Sequence, residues 1–493
     1  MPRVSLTMIV RDEEANLPAC LSSVAGLVDE IVIVDTGSTD GTRSVAQSYG
    51  ARLFDFPWSD DFAAARNEAL RHARGDWVFW LDADDRLDDE NRTRLRVLFA
   101  HLTLDLAVWL LRCVSVSQGD DGSATVLEQG RLFRRDPRVR WEYRVHEQIV
   151  PSIQRLGGAT RSSDVVVQHV GYGEARLRRA KLDRDLRLLA LDLAERPDDP
   201  LVLFHLGWTH WLLGEARAAL PVLERARQLA PPALAVVTKL YPLLVRCARQ
   251  VGAGDAALVV CQEGLARHPD HAELLFHQGQ LLNERRRFAE AEASLLRMVH
   301  LTASAGAAMG EDPALRGFKG RCVLAEVYRD WGRPADAEAQ WQAALAEQPG
   351  YLVAWICLGD LYLAQGRWSD AEQLARRLET EHDRPADGLL LRARGHMTRR
   401  EFTTARRLAE TAVNLSPTTL MPREILSHIL VLEGRDWAAA EDAVREVLAR
   451  HPSNATALAN LAVIQRRRTE QPSAAREDAG RSNPLLGGSI IVG

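Results

Sequence analysis

Two apolar runs in this chain end directly in carboxylates. Ile31-Val32-Ile33-Val34 leads into Asp35 and the polar stretch Thr36-Gly37-Ser38-Thr39-Asp40-Gly41-Thr42, while Trp77-Val78-Phe79-Trp80-Leu81 leads into Asp82-Ala83-Asp84-Asp85. A carboxylate in such a place accepts hydrogen bonds from ribose hydroxyls or from the N–H of a base. Several carboxylates brought together repel one another, and a divalent cation relieves that repulsion. Hard cations such as Mg2+ or Mn2+ combine carboxylate oxygens with ligand phosphates, so a nucleoside diphosphate is the expected third party. A plainer reading exists for each stretch. Asp35 and Asp40, with Ser38 and Thr39, could serve only as caps of a strand-turn-helix, and the second acidic group could simply open a helix that Asp88-Asp89-Glu90 continues.

The elements that would bring these carboxylates together follow from the period of the apolar residues. Strand-like runs at 5–10, 30–34, 52–56 and 77–81 alternate with helical patterns at 17–24, 42–48 and 62–74. This rhythm predicts an α/β, Rossmann-like domain with a mostly parallel sheet, whose strands end along the edge where such sheets bind ligands. From about Lys181 the pattern becomes helix after helix. Ala219, Ala257, Ala291, Ala337, Ala371, Ala405 and Ala440 recur at intervals of 38, 34, 46, 34, 34 and 35 residues, close to the period of a tetratricopeptide (TPR) helix pair. The stretch Trp355 to Ala371 resembles the TPR consensus most closely, and Pro269, Pro349, Pro385, Pro417 and Pro452 are placed to stop second helices.

The expected division is therefore a catalytic domain over 1–175, a helical connector over 176–199, about seven helix pairs of an all-α TPR solenoid over 200–467 with an insertion near 302–314, and a poorly ordered tail over 468–493. Trp208, Trp211, Trp331, Trp341, Trp355, Trp368 and Trp437 fit packing positions between helices, and a concave groove for an extended peptide is the functional alternative. The run Arg285-Arg286-Arg287 reads as a solvated inter-helix turn.

Composition narrows the classes. The chain has 493 residues, 46% of them hydrophobic, enough for two or more cores. Residues 1–174 hold 20 Arg, no Lys and 27 acidic groups, a net charge of -7 within a total of -5. That excludes a polybasic nucleic-acid surface and favours a bridging cation over a basic pocket for any phosphorylated ligand. The six cysteines are scattered without a CxxC pair, so they read as core residues of a cytoplasmic protein. The apolar run Val4 to Val10 is too short for a signal peptide, and no run approaches the roughly 20 residues of a transmembrane helix.

The motifs "TMIVRDEEANL", "DEIVIVDTGSTDGT" and "FWLDADD" resemble the catalytic domain of inverting family-2 glycosyltransferases with the GT-A fold, over residues 1–100. The segment "FPWSDDFAAARNEALRHARGD" is similar to a bacterial branch that joins this domain to TPRs. The resemblance implies that Asp35 contacts the nucleotide, with Asp40 in the same loop. It further implies that Asp82 lies by the ribose and metal, that Asp84 ligates the metal, and that Arg66 and Asn67 line the donor pocket. Read from the residues alone, Arg66 could equally pair with Asp60 or Asp61. Many relatives carry Asn at the position of Asp12, whose extra carboxylate would sit near the nucleotide.

An inverting transfer needs a base for the acceptor's proton. In "VRWEYRVHEQI", an extended backbone would put Val139, Trp141, Tyr143, Val145 and Glu147 on one face, and Arg140, Glu142, Arg144, His146 and Gln148 on the other. Glu147 on the apolar face would be partly desolvated, its pKa raised toward useful base strength, with His146 beside it as ligand or orienter. A solvated strand end is the alternative. His169, after a strand-like run at 164–168, is a candidate third ligand for metal or diphosphate, a structural histidine being the other reading. The expected function is transfer of a sugar from a nucleotide-sugar donor, UDP-linked, to a peptide, protein or glycan acceptor chosen partly by the TPR arm. The alternatives are a silent domain anchoring a TPR scaffold and a sugar-nucleotidyltransferase, the latter opposed by the acidic loop Arg11-Asp12-Glu13-Glu14.

Overall fold

The computed structural model describes residues 2–116, 124–170, 175–232, 234, 236–301 and 312–479. Most of the expected insertion near 302–314, the last residues of the expected tail and the Gly171-Tyr172 pair after His169 lie outside the described residues. The chain divides into two compact units, one up to Trp331 and one from Gly332 onward. The first unit thus holds the α/β domain together with the first helices of the arm.

The α/β part runs β1 (Val4–Val10), α1 (Leu17–Ser23), β2 (Glu30–Asp35), α2 (Thr42–Ser48), β3 (Arg52–Asp55), α3 (Phe62–His72), β4 (Trp77–Trp80), β5 (Asp85–Arg86), α4 (Asp89–Ala100), β6 (Ala107–Val116), β7 (Ala124–Arg134), α5 (Val150–Arg155) and β8 (Ala159–His169). The strands form one sheet in the order β3-β2-β1-β4-β7-β6-β8-β5. The sheet is mixed. β3, β2, β1 and β4 are parallel, as is β6 with β8, while β7 is antiparallel to both β4 and β6 and β5 to β8. The runs Val32–Val34 of β2 and Trp77–Trp80 of β4 are apolar and buried on both faces, and Leu6, Met8, Ile33, Trp77 and Phe79 are among the largest fully buried side chains. Asp35 pairs with Val10 of β1 and Trp80 with Thr7, so β2 and β4 deliver their ends to the same edge on either side of β1. That reversal of strand order is the switch point where open α/β sheets bind ligands.

The same unit continues with α6 (Ala175–Glu195), α7 (Pro200–Leu212), α8 (Ala216–Leu229), α9 (Val237–Gln250), α10 (Gly254–Arg267), α11 (Ala272–Glu284), α12 (Phe288–Val299), a short 3-10 turn and α13 (Phe318–Asp330). The second unit holds α14 (Pro334–Glu347), α15 (Leu352–Ala364), α16 (Trp368–Thr380), α17 (Pro385–Thr398), α18 (Phe402–Leu415), α19 (Met421–Glu433), α20 (Trp437–Arg450) and α21 (Ala455–Ala479). The repeating alanines are the close-approach points: six are completely buried and Ala371 is 5% exposed. Gly279 has the same role in α11, where a Cβ would come within 2.5 Å of Leu295 Cγ in α12.

Several expectations are corrected here. Pro385 opens α17 instead of ending a helix, because its missing N–H costs nothing in a first turn. Helix α21 extends to Ala479, past the expected start of the tail. Trp341 and Trp355 are core, while Trp331 is 36% exposed. Residues 139–149 are not a strand: the backbone turns, with positive φ at Tyr143 (72°) and His146 (56°) and a single isolated bridge between Glu142 and Gln148. The expected alternation of faces is therefore absent.

Candidate active site

The loop after β2 and the loop after β1 are tied to each other by their own carboxylates. Asp12 Oδ1 accepts from the Thr39 amide at 2.7 Å and from its hydroxyl at 3.1 Å, while the Asp12 amide donates to Ser38 Oγ at 3.0 Å. Asp40 Oδ2 accepts from the Glu14 amide at 3.1 Å, and its Oδ1 from the Thr42 amide at 3.0 Å. Asp12 and Asp40 thus stand at the ligand edge as latches between two loops. Asp35 differs. Its Oδ1 accepts from the amides of Gly37 and Ser38, both at 2.7 Å, but Oδ2 is buried with no hydrogen-bond partner and lies 3.6 Å from Arg43 Nη1. A buried carboxylate oxygen left unsatisfied is costly, and a ligand donor would satisfy it.

Across β1, the turn after β4 gathers four side chains. Asp85 is fully buried, and its Oδ2 accepts from the Asp82 amide at 2.8 Å and from Arg131 Nη1 at 2.7 Å. Its Oδ1 is 3.1 Å from His169 Nδ1, which is also 3.4 Å from Asp84 Oδ1. One ligand atom from each of Asp82, Asp84, Asp85 and His169 lies within 4.8 Å of the others. Antiparallel pairing of β5 with β8 creates this meeting, since Asp85 is in register with His169.

The charges in this cluster are unequal. Burial pushes the Asp84 carboxyl up, and repulsion from Asp82 and Asp85 adds to it against the pull of His169. Burial acts on Asp82 in the same sense, but the guanidiniums of Arg66 and Arg131 outweigh it and hold Asp82 at about 2. The hydrogen bond to Asp85 raises His169. Three carboxylates and an imidazole fit a hard divalent cation, and Asp84, Asp82 and His169 are the groups that could hold it, because Asp85 already spends both oxygens on protein donors.

Helix α3 brings the third part. Asp61 caps it by accepting from the Ala64 amide at 2.8 Å, and Asp60 is bonded to Arg187 at 2.9 Å, so neither pairs with Arg66. Arg66 instead points into the site, 7% exposed, with Nε donating to Glu147 Oε1 at 2.5 Å and Nη2 to Asp82 Oδ1 at 2.9 Å. Its guanidinium lies 4.2 Å from the centroid of Trp80 and that of Arg131 3.8 Å, a cationic pair anchored on one indole. Asn67, next along the helix, does not line this space: its side chain clamps the backbone of Trp141, donating to the carbonyl at 3.0 Å and accepting from the amide at 2.8 Å.

Glu147 reaches the cluster from the irregular 141–148 loop, where its partner is a cation and not an apolar face. His146 turns away from it to stack on His205 of α7, with ring centroids 4.1 Å apart and 14° between planes. It is neither beside the acidic cluster nor an orienter of Glu147 by hydrogen bond. Its Nε2 is buried without a partner, and burial lowers its pKa. A cavity of about 590 Å3 opens behind the loop, lined by Trp141, Tyr143 and Arg144 on one side and Asp192 and Arg196 of α6 on the other. None of the acidic cluster lines it.

Residues 5–148 match the profile described as glycosyl transferase family 2, and residues 248–308, 329–395 and 429–482 match tetratricopeptide repeats. Over 277 residues the chain is 36% identical to a TPR repeat-containing protein of Synechococcus elongatus, an alignment covering 55% of this chain and 68% of that protein. The chain carries a glycosyl transferase family 2 domain ahead of tetratricopeptide repeats. The family-2 match contains Asp35, Arg66, Asp82, Asp84 and Glu147 and stops short of His169. This glycosyltransferase is also 26% identical over 235 residues to the prophage-derived glycosyltransferase SunS of Bacillus subtilis, covering 46% of the chain and about half (53%) of that relative. Among solved structures, a tetratricopeptide repeat protein from Parabacteroides merdae is 18% identical, with a TM-score of 0.39, over 52% of this chain and 94% of that one.

Three site residues escape a reading of the sequence. Asp85 adjoins the motif but looks redundant beside Asp84. Arg131 sits in an ordinary-looking strand, and its burial, 2% exposed, is visible only in the structure. Arg43 gives no signal at all.

Proposed function

We propose that this glycosyltransferase is a metal-dependent inverting enzyme of the cytoplasm. It moves a sugar from a nucleotide donor, UDP-linked, to a peptide, protein or glycan acceptor selected in part by the TPR arm. The observation that carries the reading is the Arg66 bridge, one buried guanidinium joining the first carboxylate of the acidic turn to the carboxylate of the 141–148 loop. Donor and acceptor chemistry would meet across that side chain.

In this reading Asp35 Oδ2 takes the nucleotide base, Asp82 lies by the ribose, and Asp84, Asp82 and His169 hold Mg2+ or Mn2+. A cation bound there supplies Lewis-acid neutralisation of the departing diphosphate. Glu147 accepts the acceptor's proton through Oε2 as the acceptor attacks the anomeric carbon, and the bond from that carbon to the diphosphate oxygen breaks. Arg66 occupies Oε1 and fixes the rotamer, so one oxygen is left to act as base. Glu147 is the proposed base on this geometry.

The test is hydrolysis of a panel of UDP-, GDP- and dTDP-sugars with Mg2+ or Mn2+ by the native chain, Asp84→Ala and Glu147→Gln. Asp84→Ala is expected to lose metal-dependent nucleotide binding, and Glu147→Gln to bind donor and turn it over poorly. Normal turnover by Glu147→Gln refutes the base. Absence of any nucleotide-dependent rise in Tm, with either metal, favours the scaffold.

A further inference from the structure

The loop that carries Glu147 has almost no sheet to lean on. Between Trp141 and Gln148 it makes one isolated bridge, and it holds Tyr143 and His146 at positive φ, which residues with side chains adopt only where neighbours impose it. The catalytic domain supplies the bond from the Phe62 amide to the Arg144 carbonyl at 2.8 Å, the Asn67 clamp on Trp141, the Arg66 bond to Glu147, a bond from Arg144 Nη1 to the Asp60 carbonyl at 3.4 Å and the Arg155–Glu142 pair. The other ties come from the arm. Asp192 of α6, 1% exposed, accepts from the Arg144 amide at 2.9 Å. Asp199, the cap of α7, accepts from the Tyr143 hydroxyl at 3.0 Å. His205 of α7 stacks on His146, and Val145 is buried against Leu188, Leu189 and Val202. The cavity behind Arg144 means that close packing does not hold the loop there, so these few contacts must.

We infer that α6 and α7 belong to the catalytic machinery, with Asp192 and His205 as positioning residues that set the 141–148 loop and so bring Glu147 to Arg66. Each grips a residue beside or within the strained turns, and Glu147 follows His146 directly in the chain. Releasing the grip lets the turn relax and withdraws Glu147. The inference rests on the proposed role of Glu147, and it gives the arm a function separate from choosing an acceptor.

The experiment uses the full chain with Asp192→Ala and His205→Ala, beside the conservative Asp192→Asn and His205→Phe, which keep an acceptor and a flat ring. Three quantities are read: amide exchange over 141–149 against 77–86, the rise in Tm with UDP and Mn2+, and steady-state hydrolysis of the panel sugar that the native chain turns over fastest. The alanine variants should exchange faster over 141–149 only and keep the UDP-Mn2+ shift. Their kcat should fall about 10- to 100-fold, as expected for misplacement of a reacting group by about 1 Å, with KM within about twofold. The conservative variants should recover most of that loss. Native exchange over 141–149, or native kcat where Glu147→Gln is inactive, overturns the inference. If Glu147→Gln is itself fully active, the base assignment fails, while the exchange data still decide whether the arm holds the loop. Should His205→Ala fail to fold, Asp192→Ala, which removes the hydrogen bond to the Arg144 amide, decides alone against Asp192→Asn.

Discussion

Replacing Arg66 by Met keeps the length of the side chain and removes the charge that two carboxylates share. Glu147 is 13% exposed, and stripping the partner from a buried pair costs about 3–5 kcal/mol. Asp82 is 35% exposed and has Arg131 4.0 Å away, so its share is small, about 0–1 kcal/mol. The lost cation–π contacts with Trp80 and Trp141 are offset in part by the thioether on the same rings, worth about 0.3–1.5 kcal/mol. The net expectation is local destabilisation of about 3 kcal/mol. Native-state hydrogen exchange of α3 and β4 amides would read this as exchange about 100-fold faster, at 1.4 kcal/mol per decade. The effect has a pH signature. Asp82 is depressed from 3.8 to about 2, so its pairing contributes fully above pH 3.8 and is lost as pH falls toward 2. Without Arg66, burial acts with less opposition and the Asp82 carboxyl rises, so protonation relieves the variant as pH falls. The deficit of Arg66→Met should therefore be largest at pH 7 and shrink toward pH 4. Exchange within threefold of the native rate at pH 7 (about 0.6 kcal/mol), or a deficit that grows on acidification, would refute the idea that this guanidinium holds the two halves of the site together.

Asp35→Asn keeps an acceptor for the amides of Gly37 and Ser38 and should leave Tm within about 2 °C, yet weaken UDP binding roughly tenfold by removing the unpaired oxygen; isothermal titration measures it. Gly279→Ala drives a methyl toward Leu295 and should destabilise α11 and α12 by about 1–3 kcal/mol, read as faster exchange in those helices without change in β4. His146 and His205 are both depressed below 6.5, each by burial first. Asp185 and Glu147 oppose this at His146 while Lys181 and Arg184 reinforce it, and His146 and Lys239 reinforce it at His205. Such histidines stabilise the fold above 6.5 and cease to do so as pH falls through the folded values, so exchange over 141–149, corrected for its intrinsic pH dependence, should accelerate between pH 7 and 5. His205→Phe should flatten that profile.

Much of the donor side is written locally. The runs into Asp35 and Asp82 are parallel strands because each is apolar on both faces and each is followed by a helix that can cover it, and the switch point then follows from topology. The arm was legible for the same reason, since a small residue recurring every 34 or so positions marks helices that touch. The base loop was not. "VRWEYRVHEQI" alternates like a strand, and it contains no glycine or asparagine to announce a left-handed turn. Tyr143 and His146 adopt one because Asp199 and His205, 56 and 59 residues later, hold them there. The sequence leaves two readings of Arg66 open for a related reason: nearby Asp60 and Asp61 are engaged by Arg187 and by the helix cap, and the partners it meets lie 16 and 81 residues away.

The contrast has a physical consequence for how such an enzyme can change. Asp35 ends β2, and Asp82 and Asp84 stand in the turn after β4, positions fixed by a buried sheet, so the proposed donor site tolerates little alteration around it. The 141–148 loop owes part of its path to a handful of polar and ring contacts with α6 and α7, each worth about 1 kcal/mol and each removable without opening the sheet. Substitutions in the first helices of the arm can therefore move the proposed base, Glu147, while the proposed donor site stays intact. If that separation is real, UDP binding and turnover should respond independently to changes at 185–205, and a set of variants there whose nucleotide affinity falls in step with kcat would show that the two sides are one rigid body after all.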